Sequence, residues 1–148
     1  MSDYICKIIP KTPDLRIPSL RMLAAKSWLR THIRSDRVTC RLSEMPEFVD
    51  CGGDLENIRC PVCGAGISFD WWGEAMDQAA ADSFQDRRVV APCCGSETAL
   101  DELLYEFPCG FSCAELDLVN PRMPLESQML VKLGKILGTP LRRIDCHL

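Results

Sequence analysis

The chain is poor in the side chains from which most catalytic centres are built. It has two histidines, His32 and His147, and aromatic residues make up only 7% of it. His32 lies at the edge of an apolar helical face and His147 stands beside the chain end, so both read as structural or exposed rather than catalytic. No glycine-rich phosphate loop occurs, and no nucleophile-elbow pattern. Zinc deaminases need His-x-Glu or Cys-x-Glu ahead of their cysteine pair, and neither precedes Cys93 and Cys94. Redox dithiols of the Cys-Pro-x-Cys type sit at a helix N-terminus. Here Gly64 and Gly66 follow the second cysteine, which argues for a turn into a strand. An enzyme is therefore disfavoured. No run of about 18 uncharged apolar residues is present, so no membrane-spanning helix is expected. Met1 to Cys6 lacks a basic start followed by an apolar run, and a cytoplasmic location is expected.

Cysteine is what the chain has in quantity, with ten in 148 residues. In a reducing compartment they are thiols or metal ligands rather than disulfides. Two groups dominate, Cys60-Pro61-Val62-Cys63-Gly64 and Pro92-Cys93-Cys94-Gly95. Two thiolates two residues apart can bind one ion from a single turn, and the glycine lets backbone N–H groups point at the sulfurs. Cys60, Cys63, Cys93 and Cys94 are the expected ligands of a structural zinc ion. Adjacent cysteines need a sharply turned backbone to share an ion, so Cys51 or Cys109 is the alternative fourth ligand. Cys109 and Cys113 read as buried thiols or as neighbours on one strand face. Cys6, Cys40 and Cys146 fall in expected strands and read as core.

Periodicity predicts an α+β fold. Tyr4 to Ile9 reads as a strand, Pro18 to Ile33 as a helix with Met22, Ala25, Leu29 and Ile33 on one face, and Arg37 to Leu42 as a second strand. The far end repeats the plan. Phe111 to Val119 is a strand, a helix opened by Pro124 buries Met129, Leu133, Ile136 and Leu137, Gly138 caps it, and Leu141 to His147 is a last strand. Two strand–helix–strand units imply a ferredoxin-like four-stranded sheet with two helices, formed by residues 1–43 and 110–148. Residues 44–109 would be an inserted zinc-ribbon-like module. Within it, Phe48 to Gly53 reads as a short strand into a glycine turn. Ile67 to Trp72 and Arg88 to Ala91 read as strands, and Glu74 to Phe84 and Ala99 to Tyr105 as helices.

Charge is partitioned along the chain. Residues 1–43 hold nine Lys/Arg against three Asp/Glu, residues 44–117 three against sixteen, and residues 118–148 five against two. The cysteine groups lie inside the acidic centre, which would repel phosphate. Acidic residues such as Asp101, Glu102 and Glu106 read as a solvated face. Lys26, Arg30 and Arg34 form a basic stripe at i, i+4, i+8, continued by Arg37. It reads first as the solvent side of an amphipathic helix, which could also neutralise the acidic insert, and second as a surface for RNA or an acidic partner. Trp71 and Trp72, read as strand neighbours, would leave one ring exposed as an anchor for a protein. The leading functional reading is a non-catalytic protein-binding module with structural zinc, of the partner-masking kind that immunity proteins exemplify. The alternative is a nucleic-acid-binding zinc-ribbon protein using the basic first helix.

Cys-Pro-Val-Cys-Gly, Trp71-Trp72, Met76, Pro92-Cys93-Cys94-Gly95, the Leu103 to Tyr105 segment, Gly110-Phe111, Asn120-Pro121 and the preceding Phe48 to Gly53 together resemble an uncharacterised bacterial family of similar-length proteins. The resemblance implies that the two cysteine groups belong together. It carries no activity with it.

Overall fold

A computed structural model describes residues 3–52, 55–106 and 108–148. Gly53, at the end of the expected glycine turn, lies outside the described residues. The fold is mixed α+β. Strand β1 (Tyr4–Pro10) leads into helix α1 (Ser19–His32) and strand β2 (Arg37–Val49). A segment of small elements follows: β3 (Ile58–Arg59), β4 (Gly66–Ile67), α2 (Phe69–Ala80), β5 (Arg88–Val90), β6 (Glu97–Ala99) and β7 (Leu104–Tyr105). The chain then returns through β8 (Gly110–Val119), α3 (Ser127–Leu137) and β9 (Leu141–His147).

The four long strands form one antiparallel sheet in the order β2-β8-β1-β9. Each strand–helix–strand unit thus leaves a gap that a strand of the other unit fills. Alternation along the strands sends one set of side chains to each face. Cys6, Ile8, Val38, Ala114, Leu116, Leu118 and Leu141 meet Met22, Ala25 and Leu29 of α1 and Leu133 and Leu137 of α3 in the main core. Ile33 is buried one residue past the end of α1. Gly138 closes α3 in the left-handed region (φ 80°), its N–H reaching the Gly134 carbonyl at 2.7 Å. Pro124 does not open that helix. The chain stays extended at Glu126, and Leu125 is buried in the main core ahead of the first turn.

The opposite face is shared between charge and a second apolar zone. Ile9, Val49, Cys51, Cys109 and Ile144 pack together there. Phe111 joins a further core made by the small elements, with Ile58, Cys60, Ile67, Ala79, Ala91, Leu100 and Leu103. Phe48 packs against both groups. The midsection therefore has apolar packing of its own and uses Phe48 of β2 and Phe111 of β8 to complete it. Arg87 adds a polar tie, with Nη2 2.8 Å from Asp14 Oδ2 in the loop after β1 and Nε 3.1 Å from Asp101 Oδ1.

Several local expectations are corrected. Arg37 to Leu42 and Phe48-Val49 are one strand, with a register shift between Leu42 and Glu47. Ile67 to Trp72 is not a strand. Only Gly66–Ile67 pairs, and α2 begins at Phe69, five residues before the expected start. The signal was Ser68, whose hydroxyl accepts the Trp71 N–H at 3.2 Å as an N-cap, with Asp70 in the first turn. Ala99 to Tyr105 is a strand end, a turn and a strand rather than a helix. Its apolar residues serve separate contacts, with Leu100 and Leu103 buried in the midsection core. Helix α2 ends at Ala80, and Ser83 and Phe84 take positive φ (60° and 59°). A non-glycine residue there costs about 1–3 kcal/mol. Packing of Phe84 on Phe111, with ring centres 5.2 Å apart, offsets it.

Candidate metal centre

The two cysteine groups occupy the tips of two hairpins. The first runs β3–turn–β4, with Ile58 opposite Ile67 and Arg59 opposite Gly66. The second runs β5–turn–β6, with Arg88 opposite Ala99 and Val90 opposite Glu97. Their turns are built alike. In the first, the Cys60 N–H donates to the Ala65 carbonyl and the Gly64 N–H to the Cys60 carbonyl, both at 2.9 Å. In the second, the Ala91 N–H donates to the Ser96 carbonyl and the Gly95 N–H to the Ala91 carbonyl, again both at 2.9 Å. Gly64 and Gly95 sit at the same place with φ of 77° and 72°, where a Cβ is unfavourable.

This correspondence aligns Cys60-Pro61-Val62-Cys63-Gly64 with Ala91-Pro92-Cys93-Cys94-Gly95. Cys94 takes the place of Cys63. The place of Cys60 is taken by Ala91, and both are buried, at 0% and 1% exposure. Cys93 takes the place of Val62, which faces solvent at 59% exposure. The second turn thus supplies its two sulfurs from its third and fourth positions instead of its first and fourth.

All four sulfurs converge. Cys60 Sγ lies 3.8 Å from Cys94 Sγ, and Cys63 Sγ 3.3 Å from Cys93 Sγ. The four atoms lie within 4.8 Å of one another, close enough to hold a metal ion. A disulfide needs about 2.05 Å. Four thiolates about 2.3 Å from a tetrahedral ion stand roughly 3.8 Å apart. Backbone N–H groups of Cys63 and Val62 pull the Cys60 thiol down to about 7. The Ser96 hydroxyl and N–H lower Cys94. Hydrogen bonding with the Cys63 thiol pushes Cys93 up to about 12. The turns therefore favour thiolate on at least one sulfur from each hairpin.

Cys51 and Cys109 stand apart from this cluster. Both are buried beside Ile9, Val49 and Ile144, and burial pushes Cys109 up to about 12. Cys6 and Cys113 are buried, Cys146 is buried in β9, and Cys40 is half-buried in β2. The signal for both turns was present in the sequence as a shared Pro and Gly frame. Only the paired backbone hydrogen bonds show which residues correspond.

The two tryptophans lie on one helix, half-buried. Trp72 turns inward, its ring meeting Phe48, Phe69 and Tyr105, and its Nε1 donates to Tyr105 Oη at 3.1 Å. Trp71 lines a groove of about 770 Å³ between α2 and the β5–β6 hairpin. Glu74, Asp86, Glu97 and Glu102 line it as well. The one cation lining it among the described residues, Arg88, is held by Asp86 at 2.9 and 3.0 Å. Of the basic stripe, Lys26 is half-buried, and Arg30, Arg34 and Arg37 are exposed. His32 is exposed on α1 and stacks on Trp28 with ring centres 4.2 Å apart, while His147 stacks on Tyr4 at 5.0 Å.

Among the described residues no helix is long and apolar enough to cross a membrane. No protein-family model, curated protein or solved structure matches the chain.

Proposed function

We propose that this chain is a non-catalytic protein-binding module: a ferredoxin-like frame carrying a zinc-ribbon-like insert, whose acidic groove receives a basic segment of a protein partner. The frame assignment is supported by the interleaved strand order, with one helix inside each strand–helix–strand unit. The ribbon assignment is supported by two like hairpins that bring four sulfurs to one point. Zinc is the ion that an all-thiolate tetrahedral set favours over hard cations. Its role is structural, joining two hairpins whose own strands are two or three residues long.

The observation that carries the binding reading is the groove beside Trp71. Among the described residues, Glu74, Glu97 and Glu102 line about 770 Å³ together with Asp86, which is paired with Arg88, the one cation there. Such a surface attracts Lys and Arg side chains, and an indole face adds cation–π attraction of about 0.5–1 kcal/mol at an exposed site. Masking a basic partner, as immunity proteins do, is the use that fits.

Two measurements test this. Elemental analysis of purified protein should find one zinc per chain, lost in Cys60→Ser and kept in Cys51→Ser and Cys109→Ser. Zinc retained in Cys60→Ser would remove the ion from the cluster. Calorimetric titration with a Lys/Arg-rich peptide should show binding that weakens with salt and disappears in Glu74→Lys/Glu97→Lys. A peptide that fails to bind at low ionic strength would sink the groove reading while leaving the metal reading standing.

A further inference from the structure

A second cleft, of about 680 Å³, lies where α1 gives way to β2. Arg30, His32, Arg34 and Arg37 line it together with Asp36 and Met123. Its single carboxylate is already engaged. Asp36 Oδ1 takes Arg122 Nη2 at 2.5 Å and Asp36 Oδ2 takes Asn120 Nδ2 at 2.8 Å. Arg30, Arg34 and Arg37 make no ion pair and no side-chain hydrogen bond among the described residues. Other arginines are used internally, Arg41 holding Glu47 and Glu115, Arg87 holding Asp14 and Asp101, and Arg143 reaching Asp145, while Arg16, Arg21 and Arg59 also lack a side-chain partner among the described residues but do not line this cleft. Three arginines without an ion pair or side-chain hydrogen bond therefore line one concavity, Arg37 adding only its charge to the field on Asp36.

Two internal explanations fall short. A helix C-terminus attracts cations, which accounts for Arg30 and His32 in the last turn of α1. Arg34 and Arg37 lie past the helix end, where that attraction has faded. Nor does the cleft neutralise the acidic insert. It opens at the start of β2, whereas the midsection leaves from its end, twelve residues on; the stretch of β8 that faces β2, Val119 back to Gly110, spans roughly 30 Å at strand rise.

We propose that this cleft binds the phosphate backbone of single-stranded nucleic acid. Three guanidinium forks offer fixed donors that match phosphate oxygens two at a time. A single strand can turn its phosphates into a cleft, whereas a duplex needs a broad face or an element that enters a groove. The site is independent of the groove beside Trp71 and has the opposite charge.

The test is fluorescence anisotropy of the whole protein with a labelled oligonucleotide of about ten nucleotides, as RNA and as DNA. Both should bind at about 50 mM salt, and log K should fall against log salt with a slope of about −2, the value for about three phosphates on a single strand. Arg34→Gln/Arg37→Gln, which spares the helix, should weaken binding at least tenfold with unchanged thermal unfolding and zinc content. Glu74→Lys/Glu97→Lys should bind at least as well as the parent. The proposal is overturned if neither oligonucleotide binds at low salt. It is equally overturned if Arg34→Gln/Arg37→Gln binds as the parent does, or if duplex of the same length or poly-glutamate competes as well as unlabelled single strand.

Discussion

Asp117 sits in β8 between Lys7 of β1 and Thr39 of β2, on the face away from the helices. One of its oxygens, Oδ1, is buried without a hydrogen-bond partner among the described residues. Burial first, and then hydrogen bonding with Glu115 and the charge of Glu115, push Asp117 up to about 8, against a smaller downward pull from Lys7 and Arg41. Glu115 meanwhile accepts from Arg41 at 2.7 Å. Asp117 is therefore the group that keeps its proton at neutral pH. The folded form holds a proton that the unfolded chain releases near pH 4, so stability falls as pH rises from about 4 to about 8. Asp117→Asn should flatten that slope by on the order of 1 kcal/mol, screened as the site is by solvent. Urea unfolding at pH 5 and pH 8 reads the difference; an unchanged slope would show that Asp117 ionises normally. Nothing in the sequence marked this residue, because Glu115 is near it in the chain but its burial comes from pairing with β1 and β2, which are far along the chain.

At the scale of elements, the hairpin tips are the most informative. Because Ala91 stands where Cys60 stands and Cys93 where Val62 stands, the ligand of the second hairpin can be moved by exchange. Ala91→Cys/Cys93→Val should retain one metal equivalent, since both exchanged positions keep their burial. Loss of the metal in that variant, with the fold intact, would mean that the two turns are not equivalent. Helix α2 offers a simpler case. Ser68→Ala removes the acceptor for the Trp71 N–H and should cost about 1 kcal/mol of stability in thermal or denaturant unfolding. Much at this scale was legible in the sequence. The helical spacing of Met22, Ala25 and Leu29, the stop at Gly138 and the paired turn residues were all readable. The Ile67 to Trp72 segment was misread because its aromatics suit a strand, while the deciding Ser68 cap is a single hydroxyl. Ala99 to Tyr105 was misread because its leucines at helical spacing serve a turn that packs inward.

For the whole molecule, the question is how the acidic midsection holds its shape. Apolar packing contributes, with Phe48 of β2 and Phe111 of β8 in the midsection core, and the four convergent sulfurs are close enough to add a metal ion to it. A chelator that strips an ion from the four sulfurs should therefore loosen the two hairpins before anything else. Hydrogen exchange should show lost protection across β3 to β6 and retained protection in β1, β2, β8 and β9. Simultaneous loss in both regions would make the metal a condition for the entire fold. Arg87→Ala should destabilise the junction between frame and insert by about 2 kcal/mol, because charge-assisted hydrogen bonds to Asp14 and Asp101 are lost together.

The sequence alone determined the elements with strong local signals and the Cys60–Cys63 turn, because periodicity, caps and Cys-x-x-Cys spacing act over a few residues. Tertiary structure decided that Cys93 replaces the first-position cysteine and that Cys51 and Cys109 belong to an apolar zone. It also turned Trp72 inward and left three arginines uncommitted around one cleft. Those outcomes depend on which backbone groups pair and which charges meet across the chain, and no local pattern encodes that.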